Sequence, residues 1–107
     1  MLLFLDVISP IPEFSIIEDN KLILKRKIIK NESEKLSDNI FEVYNNINNT
    51  LNLALNLKKI VLTIGPGSYT SLRVGSAFVS GLIISKNILF SSISANDIIN
   101  FNSLNID

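Results

Sequence analysis

Apolar positions along this chain form short continuous runs and longer runs with a period of three to four residues, a pattern typical of a mixed α/β fold. Residues 2–8 are apolar except for Asp6, which predicts a central strand covered on both faces. Residues 14–17 and 22–29 are predicted as two further strands, joined by a hairpin turn at residues 18–21. The basic middle of the third run predicts a position near the edge of the sheet.

The second half of the chain is predicted to alternate helices and strands. A first helix opens within residues 31–34, and its apolar residues recur at spacings of three and four: Leu36, Ile40, Val43, Ile47, Leu51 and Leu55. Strands are predicted at residues 60–64 and 87–91. Further helices are predicted at residues 72–86 and 94–101. The predicted order is β-β-β-α-β-α-β-α around a mixed five-stranded sheet, whose last two strands are parallel through a right-handed crossover.

Length and composition exclude several classes of site. The 107 residues predict one small domain over residues 1–107. Ten basic and ten acidic residues cancel, so we expect no direct nucleic-acid patch. The sequence has no cysteine and no histidine, which removes disulfides, thiolate sites and the commonest metal ligand. We therefore predict no metal site.

The apolar content predicts a partner. The hydrophobic fraction is 47% and the mean hydropathy is +0.35, so part of the apolar surface is expected to be covered by another protein. No apolar run approaches the ~20 residues of a membrane span, and the apolar N-terminus has no basic segment of the kind that signal peptides carry. We predict a cytoplasmic protein without membrane contact.

A glycine-rich turn joins the fourth predicted strand to the second helix, and it comprises Gly65, Pro66, Gly67, Ser68, Tyr69 and Thr70. The glycines can take positive φ, and Ser68 or Thr70 can cap the helix. In one interpretation the free amides of the helix N-terminus bind a phosphate, with Arg73 adding a bidentate contact. In the other the run is only a well-capped turn, since it lacks the Walker A lysine. Both interpretations stay open.

The second predicted helix also carries small residues four positions apart: Ser71 and Gly75, Ser76 and Ser80, Ala77 and Gly81. Small residues at this spacing let another backbone approach closely. The chain's own sheet or a helix of a second subunit would fit such a face, and the sequence does not decide between them. Asp6 is the acid of the first strand, and no second acid is expected to converge on it.

The run from residue 64 to residue 75 resembles the Gly-Pro-Gly-Ser-Phe/Tyr-Thr-Gly-Leu-Arg-Ile/Val-Gly signature of the TsaB (YeaZ) family. Members of this family are non-catalytic partners in bacterial synthesis of tRNA threonylcarbamoyladenosine. The Asp-bearing first strand, the hairpin and the long helix before the signature agree with the family pattern, as does Gly81-Leu82 after it. The resemblance extends over roughly residues 1–100 and is specific over residues 62–82.

The resemblance implies one ribonuclease H-like lobe of the actin-like/Hsp70-like (ASKHA) fold, the N-terminal lobe without a second lobe. It implies a protein that is not itself an enzyme and that binds a TsaD-type enzyme in tRNA N6-threonylcarbamoyladenosine modification. A TsaE-like ATPase would be reached through the complex, and a homodimer would use a similar surface. TsaD binds metal with a pair of histidines, which this chain lacks. The residues implied for the partner surface are Leu36, Ile40, Val43, Ile47, Arg73, Ser76, Ala77 and Ser80.

The sequence also departs from the family pattern. Val7 stands where a threonine usually follows the aspartate, Ser71 replaces a glycine, and the chain is about half the family's usual length. A cleft between two lobes cannot form from one lobe, so no cofactor is predicted, and ATP or ADP would bind only at an interface with a partner. Two alternatives stay open: a small nucleotide- or phosphate-binding protein that uses residues 65–70, and a degenerate remnant that only homodimerises.

Overall fold

A computed structural model describes residues 1–31, 33–65, 67–84 and 86–94 of the chain. The elements in chain order are β1 (Leu2–Asp6), β2 (Glu13–Glu18), β3 (Lys21–Lys27), α1 (Leu36–Leu51), α2 (Leu53–Asn56), β4 (Lys59–Thr63), α3 (Tyr69–Ile83) and β5 (Leu89–Ile93). This order confirms the predicted β-β-β-α-β-α-β succession, with the short helix α2 in addition. The predicted last helix falls on residues that, from 95 onward, lie outside the described part of the chain.

The five strands form one mixed sheet in the order β3-β2-β1-β4-β5. The first three strands pair antiparallel, as the predicted hairpin requires. Strand β4 lies parallel to β1 on one side and parallel to β5 on the other, so β1 and β4 are central. The two central strands carry the most continuous apolar runs, because both of their faces need cover.

Helices α1 and α3 contribute to one core against one face of the sheet. Leu3 and Leu5 of β1, and Val7 directly after it, alternate along the chain and are all buried in this core. Helix α1 contributes Leu36, Ile40, Tyr44 and Ile47, and α3 contributes Phe78 and Val79. None of the helices in the described part of the chain has the length and apolar character that a membrane crossing requires.

Helix α1 begins later than predicted. Its first residue is Leu36, preceded by an extended Lys35 that makes no side-chain cap. The Asn31 side chain instead accepts a hydrogen bond from the Ser33 amide at 3.0 Å, and the Glu34 carboxylate accepts one from the Lys30 amide. Local turns of this kind satisfy the backbone without a helix, so the prediction that the first helix opens within residues 31–34 was wrong.

The predicted long helix also divides near its C-terminal end. Asn52 adopts the left-handed conformation with φ of 55°, which ends α1 at Leu51 and starts the single turn of α2. Asparagine tolerates this conformation better than most residues. The Asn48 side chain accepts a hydrogen bond from the Ala54 amide at 2.8 Å, which ties the two helices together.

Four aromatic rings occupy the contact between the two long helices. The Phe78 ring lies 5.4 Å from Tyr44, 5.7 Å from Phe14 and 5.1 Å from Phe41, measured between centroids, mostly in tilted or edge-on orientations. Such geometries are favourable beyond the area that they bury. Phe78 therefore joins α3 to both α1 and the sheet.

Gly75 lets α3 approach the sheet closely. A Cβ at this position would lie 3.1 Å from side-chain atoms of both Val7 and Leu62, which are themselves buried. Gly81, one and a half turns later, has no heavy atom within 4 Å of the corresponding point. The small residues of α3 thus have two different roles, since only one of these two glycines lies against the sheet.

We expect Gly75→Val to lower the free energy of unfolding by about 1–3 kcal/mol, the usual cost of overpacking a core. The matched variant Gly81→Val adds the same side chain to the same helix in open space and should change stability by less than about 0.5 kcal/mol. Urea unfolding followed by circular dichroism measures both. Equal effects of the two variants would contradict the close packing described for Gly75.

Burial raises the pKa of the Tyr44 hydroxyl above its ordinary value of 10.0. The unfolded chain therefore loses this proton more readily than the folded chain, and the free energy of unfolding should fall as the pH rises above 10. Below pH 10 the hydroxyl is neutral in both states and contributes no pH dependence. Denaturant unfolding from about pH 8 to about pH 11 should show a smaller alkaline loss for Tyr44→Phe than for the wild type. Identical slopes in the two proteins would contradict the assignment.

Candidate functional site

The glycine-rich turn lies at the carboxyl end of β4, the usual location of ligands in open α/β sheets. Gly65 has φ of +119°, a conformation that side-chain-bearing residues rarely adopt. Pro66 lies outside the described residues. The Ser68 hydroxyl accepts a hydrogen bond from the Ser71 amide at 3.2 Å, so Ser68 is the N-cap of α3, one of the two caps that the sequence predicts.

Gly67 packs against the loop that follows β1. A Cβ at Gly67 would lie 2.6 Å from Cγ2 of Ile8, a distance that real Cβ atoms essentially never show. Glycine is therefore required for the loops after β1 and β4 to meet. Their contact places the Ile8 side chain directly beside the turn on which a phosphate would have to rest.

Asp6 organises the loop after β1 through its buried carboxylate. One carboxylate oxygen accepts hydrogen bonds from the amides of Ile8 at 3.0 Å and Ser9 at 3.1 Å. The other accepts one from the Ser9 hydroxyl. Hydrogen bonds to a charged acceptor are among the stronger ones in proteins. The carboxylate therefore holds the loop in its turn, a role that uses much of its acceptor capacity.

Thr63 connects this loop to β4 and was not singled out from the sequence as a site residue. Its hydroxyl accepts a hydrogen bond from the Val7 amide at 3.1 Å and lies 3.5 Å from the Asp6 carboxylate. Thr63 is fully buried. The sequence could have indicated Thr63 through its position as the polar residue that ends an apolar run in a central strand, because a buried hydroxyl needs a hydrogen-bond partner.

Arg73 and Tyr69 lie together on the exposed side of the first turns of α3. The guanidinium carbon of Arg73 is 5.8 Å from the centroid of the Tyr69 ring, a cation–π contact between residues four positions apart. Thr70 is exposed beside them. The N-terminus of a helix favours anions in general. In this structure, however, the contact that the Arg73 guanidinium makes is with the Tyr69 ring. Within the described residues, no group of three or more acids lies close enough to hold a metal ion.

The outward side of α3 forms a flat exposed stripe, which we call the α3 surface: Tyr69, Arg73, Ser76, Ala77, Ser80 and Ile84. All six residues are exposed in the structure. Ser76, Ala77 and Ser80 in the middle are small, whereas Tyr69 and Ile84 at the ends are 73% and 84% exposed. The four residues of α3 that the sequence assigns to a partner surface thus all face outward.

The assignment for α1 requires correction. Leu36, Ile40 and Ile47 are buried in the chain's own core and cannot supply an outer surface. Val43 is half-buried and lines a cleft of about 380 Å³ between β3 and α1. The four residues predicted on α1 lie on its inward side, because the apolar stripe of an amphipathic helix packs against the sheet. The large apolar residue that α1 exposes is Phe41, which is 58% exposed with its ring against Phe78.

Comparison with known proteins gives both a family and a fold. The family model for TsaD, tRNA N6-adenosine threonylcarbamoyltransferase, matches residues 24–103. Among curated proteins, none matches this sequence. YeaZ from Pseudomonas aeruginosa has a similar solved structure, with a TM-score of 0.72 and 17% identity over 87% of this chain and 43% of that chain. A second similar structure is that of an uncharacterized protein with similarity to peptidase YEAZ from Pseudomonas aeruginosa, with a TM-score of 0.61 and 18% identity over 87% of this chain and 42% of that chain.

These structural similarities show the fold. They confirm the predicted α/β lobe of the actin-like class, with its mixed five-stranded sheet. The chain spans less than half the length of either solved structure.

We expect Asp6→Ala to destabilise the protein by about 1.5–3 kcal/mol, because the amides of Ile8 and Ser9 lose a charged acceptor. Asp6→Asn keeps an acceptor oxygen of the same shape and should recover at least half of that loss. Chemical unfolding of the three proteins, with amide hydrogen exchange at residues 8 and 9, measures the effect. The assigned role fails if Asp6→Ala is as stable as the wild type.

Proposed function

Because the chain belongs to the TsaD family, we propose that it is a TsaB-like, non-catalytic protein that binds a TsaD-type enzyme in tRNA N6-threonylcarbamoyladenosine modification. The observation that carries the proposal is the α3 surface, an exposed stripe with small residues at its centre and large apolar groups at its ends. A tRNA-modifying role places the protein in the cytoplasm. A TsaE-like ATPase would act through the same complex.

The chemistry of the chain supports a binding role over a catalytic one. The 107 residues contain no histidine, whereas TsaD binds its metal through a histidine pair. The Asp6 carboxylate accepts hydrogen bonds from two backbone amides and from the Ser9 hydroxyl. Its geometry therefore fits a loop-forming role.

The α3 surface has the shape that helix-to-helix docking needs. Ala77 and the neighbouring serines have small side chains, so a partner helix can approach the backbone of α3 closely. Ile84 of the α3 surface has an exposed apolar side chain, as does Phe41 on α1, and apolar groups buried at an interface core contribute most of the affinity. Arg73, held over Tyr69, adds a cation at one end of the stripe.

Nucleotide binding by residues 65–70 remains the alternative that the sequence predicts. The structure favours it less, because Ser68 already caps α3 and Gly67 lies against Ile8. The backbone amides at the start of α3 are the remaining groups that an anion would use.

The docking proposal predicts that Ala77→Arg weakens binding to the TsaD homologue of the same organism at least about tenfold, which corresponds to about 1.4 kcal/mol. The arginine would place an unpaired charge in the centre of a closely packed interface. Co-purification and isothermal titration calorimetry at micromolar concentrations measure the binding.

Asn49→Arg is the matched control, since it adds the same charge to an exposed position of α1 that is not part of the α3 surface. This variant should bind like the wild type. The proposal fails if the wild-type pair does not associate, or if Ala77→Arg, folded by circular dichroism, binds as tightly as Asn49→Arg.

A further inference from the structure

The cleft between β3 and α1 begins where the apolar pattern of the strand is interrupted. Leu24, Arg26 and Ile28 alternate along the chain, so their side chains share the side of the sheet that faces the helices. Leu24 and Ile28 both pack in or against the core. Arg26 lies directly opposite the fully buried Phe14 of β2. An arginine thus occupies a position at which an apolar residue would extend the core.

Helix α1 presents polar residues to the same cleft. Asn39, Glu42 and Asn46 line it together with Val43, and their spacings of three and four residues place them on one side of the helix. The volume of about 380 Å³ lies within the range of sites that bind small molecules. We call this feature the β3–α1 cleft.

Two hydrogen bonds fix the segment that connects β3 to α1. The Asn39 side-chain amide donates to the Ile28 carbonyl at 3.3 Å, and the Glu34 carboxylate accepts from the Lys30 amide. All four of these residues line the cleft. The bonds hold the backbone after β3 against the first turn of α1, so the walls of the cleft are formed by the chain itself.

The cations of the cleft have no anionic partner within the described residues. Arg26, Lys27 and Lys30 line it, and the ion pairs of the described chain involve none of the three. Of the two acids in the lining, Glu34 is already bonded to the Lys30 amide, and Glu42 is the other. Three cations therefore face two acids. The planar guanidinium of an arginine binds a carboxylate or phosphate through two parallel hydrogen bonds.

We propose that the β3–α1 cleft binds a small organic anion, with its carboxylate or phosphate group on Arg26. Glu42 and Asn46 on the α1 side then accept hydrogen bonds from a hydroxyl or amine group of the same molecule. A donor group on the ligand is required because Glu42 would repel a bare anion. The cleft shares no residue with the α3 surface, so the proposal does not rest on the docking function.

Glycerol 3-phosphate and glycerate test the two anionic groups separately, because both carry hydroxyl groups on a short carbon chain. At least one of them should shift the amide NMR signals of residues 26–30 and 39–46, with a dissociation constant in the millimolar range that suits so small a ligand. Sodium chloride at equal ionic strength is the reference for general ionic effects. The proposal is overturned if neither compound gives saturable shifts up to about 50 mM, or if the shifts are confined to residues 68–71 at the start of α3.

Arg26→Gln should raise the dissociation constant at least about tenfold, because the charged donors are lost. Lys25→Gln is the matched control, since it removes the same charge from the adjacent residue. The Lys25 side chain lies on the other face of the sheet and pairs with Glu13 at 3.2 Å. This variant should bind like the wild type. Wild-type affinity in Arg26→Gln, or equal weakening in both variants when circular dichroism shows both folded, would contradict a site at Arg26.

Discussion

The close approach of α3 to strands β1 and β4 is the constraint on which the rest of the structure depends. Gly75 has no side chain, and the helix therefore comes near enough for Val7 and Leu62 to pack against its backbone. With that side of α3 fixed, Phe78 one turn later enters the aromatic cluster with Phe14 and Tyr44. The opposite side of the helix, with Ala77 and Ser80, is necessarily directed outward.

The same constraint extends to the loops at the carboxyl ends of the central strands. Helix α3 can begin near the sheet because Gly67 accommodates Ile8 and because Ser68 caps the first turn. Asp6 and Thr63 then fix the loop that carries Ile8, through hydrogen bonds rather than apolar contact. The turn that resembles a phosphate cradle is thus part of the packing between a helix and two strands.

The strand order and helix order could be predicted because each strand is a compact apolar run and each helix has a clear period. Element ends were less predictable: β5 covers Leu89–Ile93 and not residues 87–91, since ladder partners in β4 decide where it pairs. The start of α1 at Leu36 depends on local hydrogen bonds of Asn31 and Glu34, which compete with helix formation. The spacing of apolar residues does not show whether the backbone of such a segment forms a helix or local turns.

The residues predicted for a partner surface are exposed on α3 and mostly buried on α1, for a physical reason. On α3 small residues occur on both sides of the helix: Gly75 packs against the sheet, whereas Ser76, Ala77 and Ser80 are exposed, so each interpretation that the sequence left open describes part of the helix. On α1 the apolar period marks what the helix buries, and Leu36, Ile40 and Ile47 accordingly lie in the core. Phe41 lies off that period, and an apolar residue outside the buried stripe is the better sequence signal for a contact with another molecule.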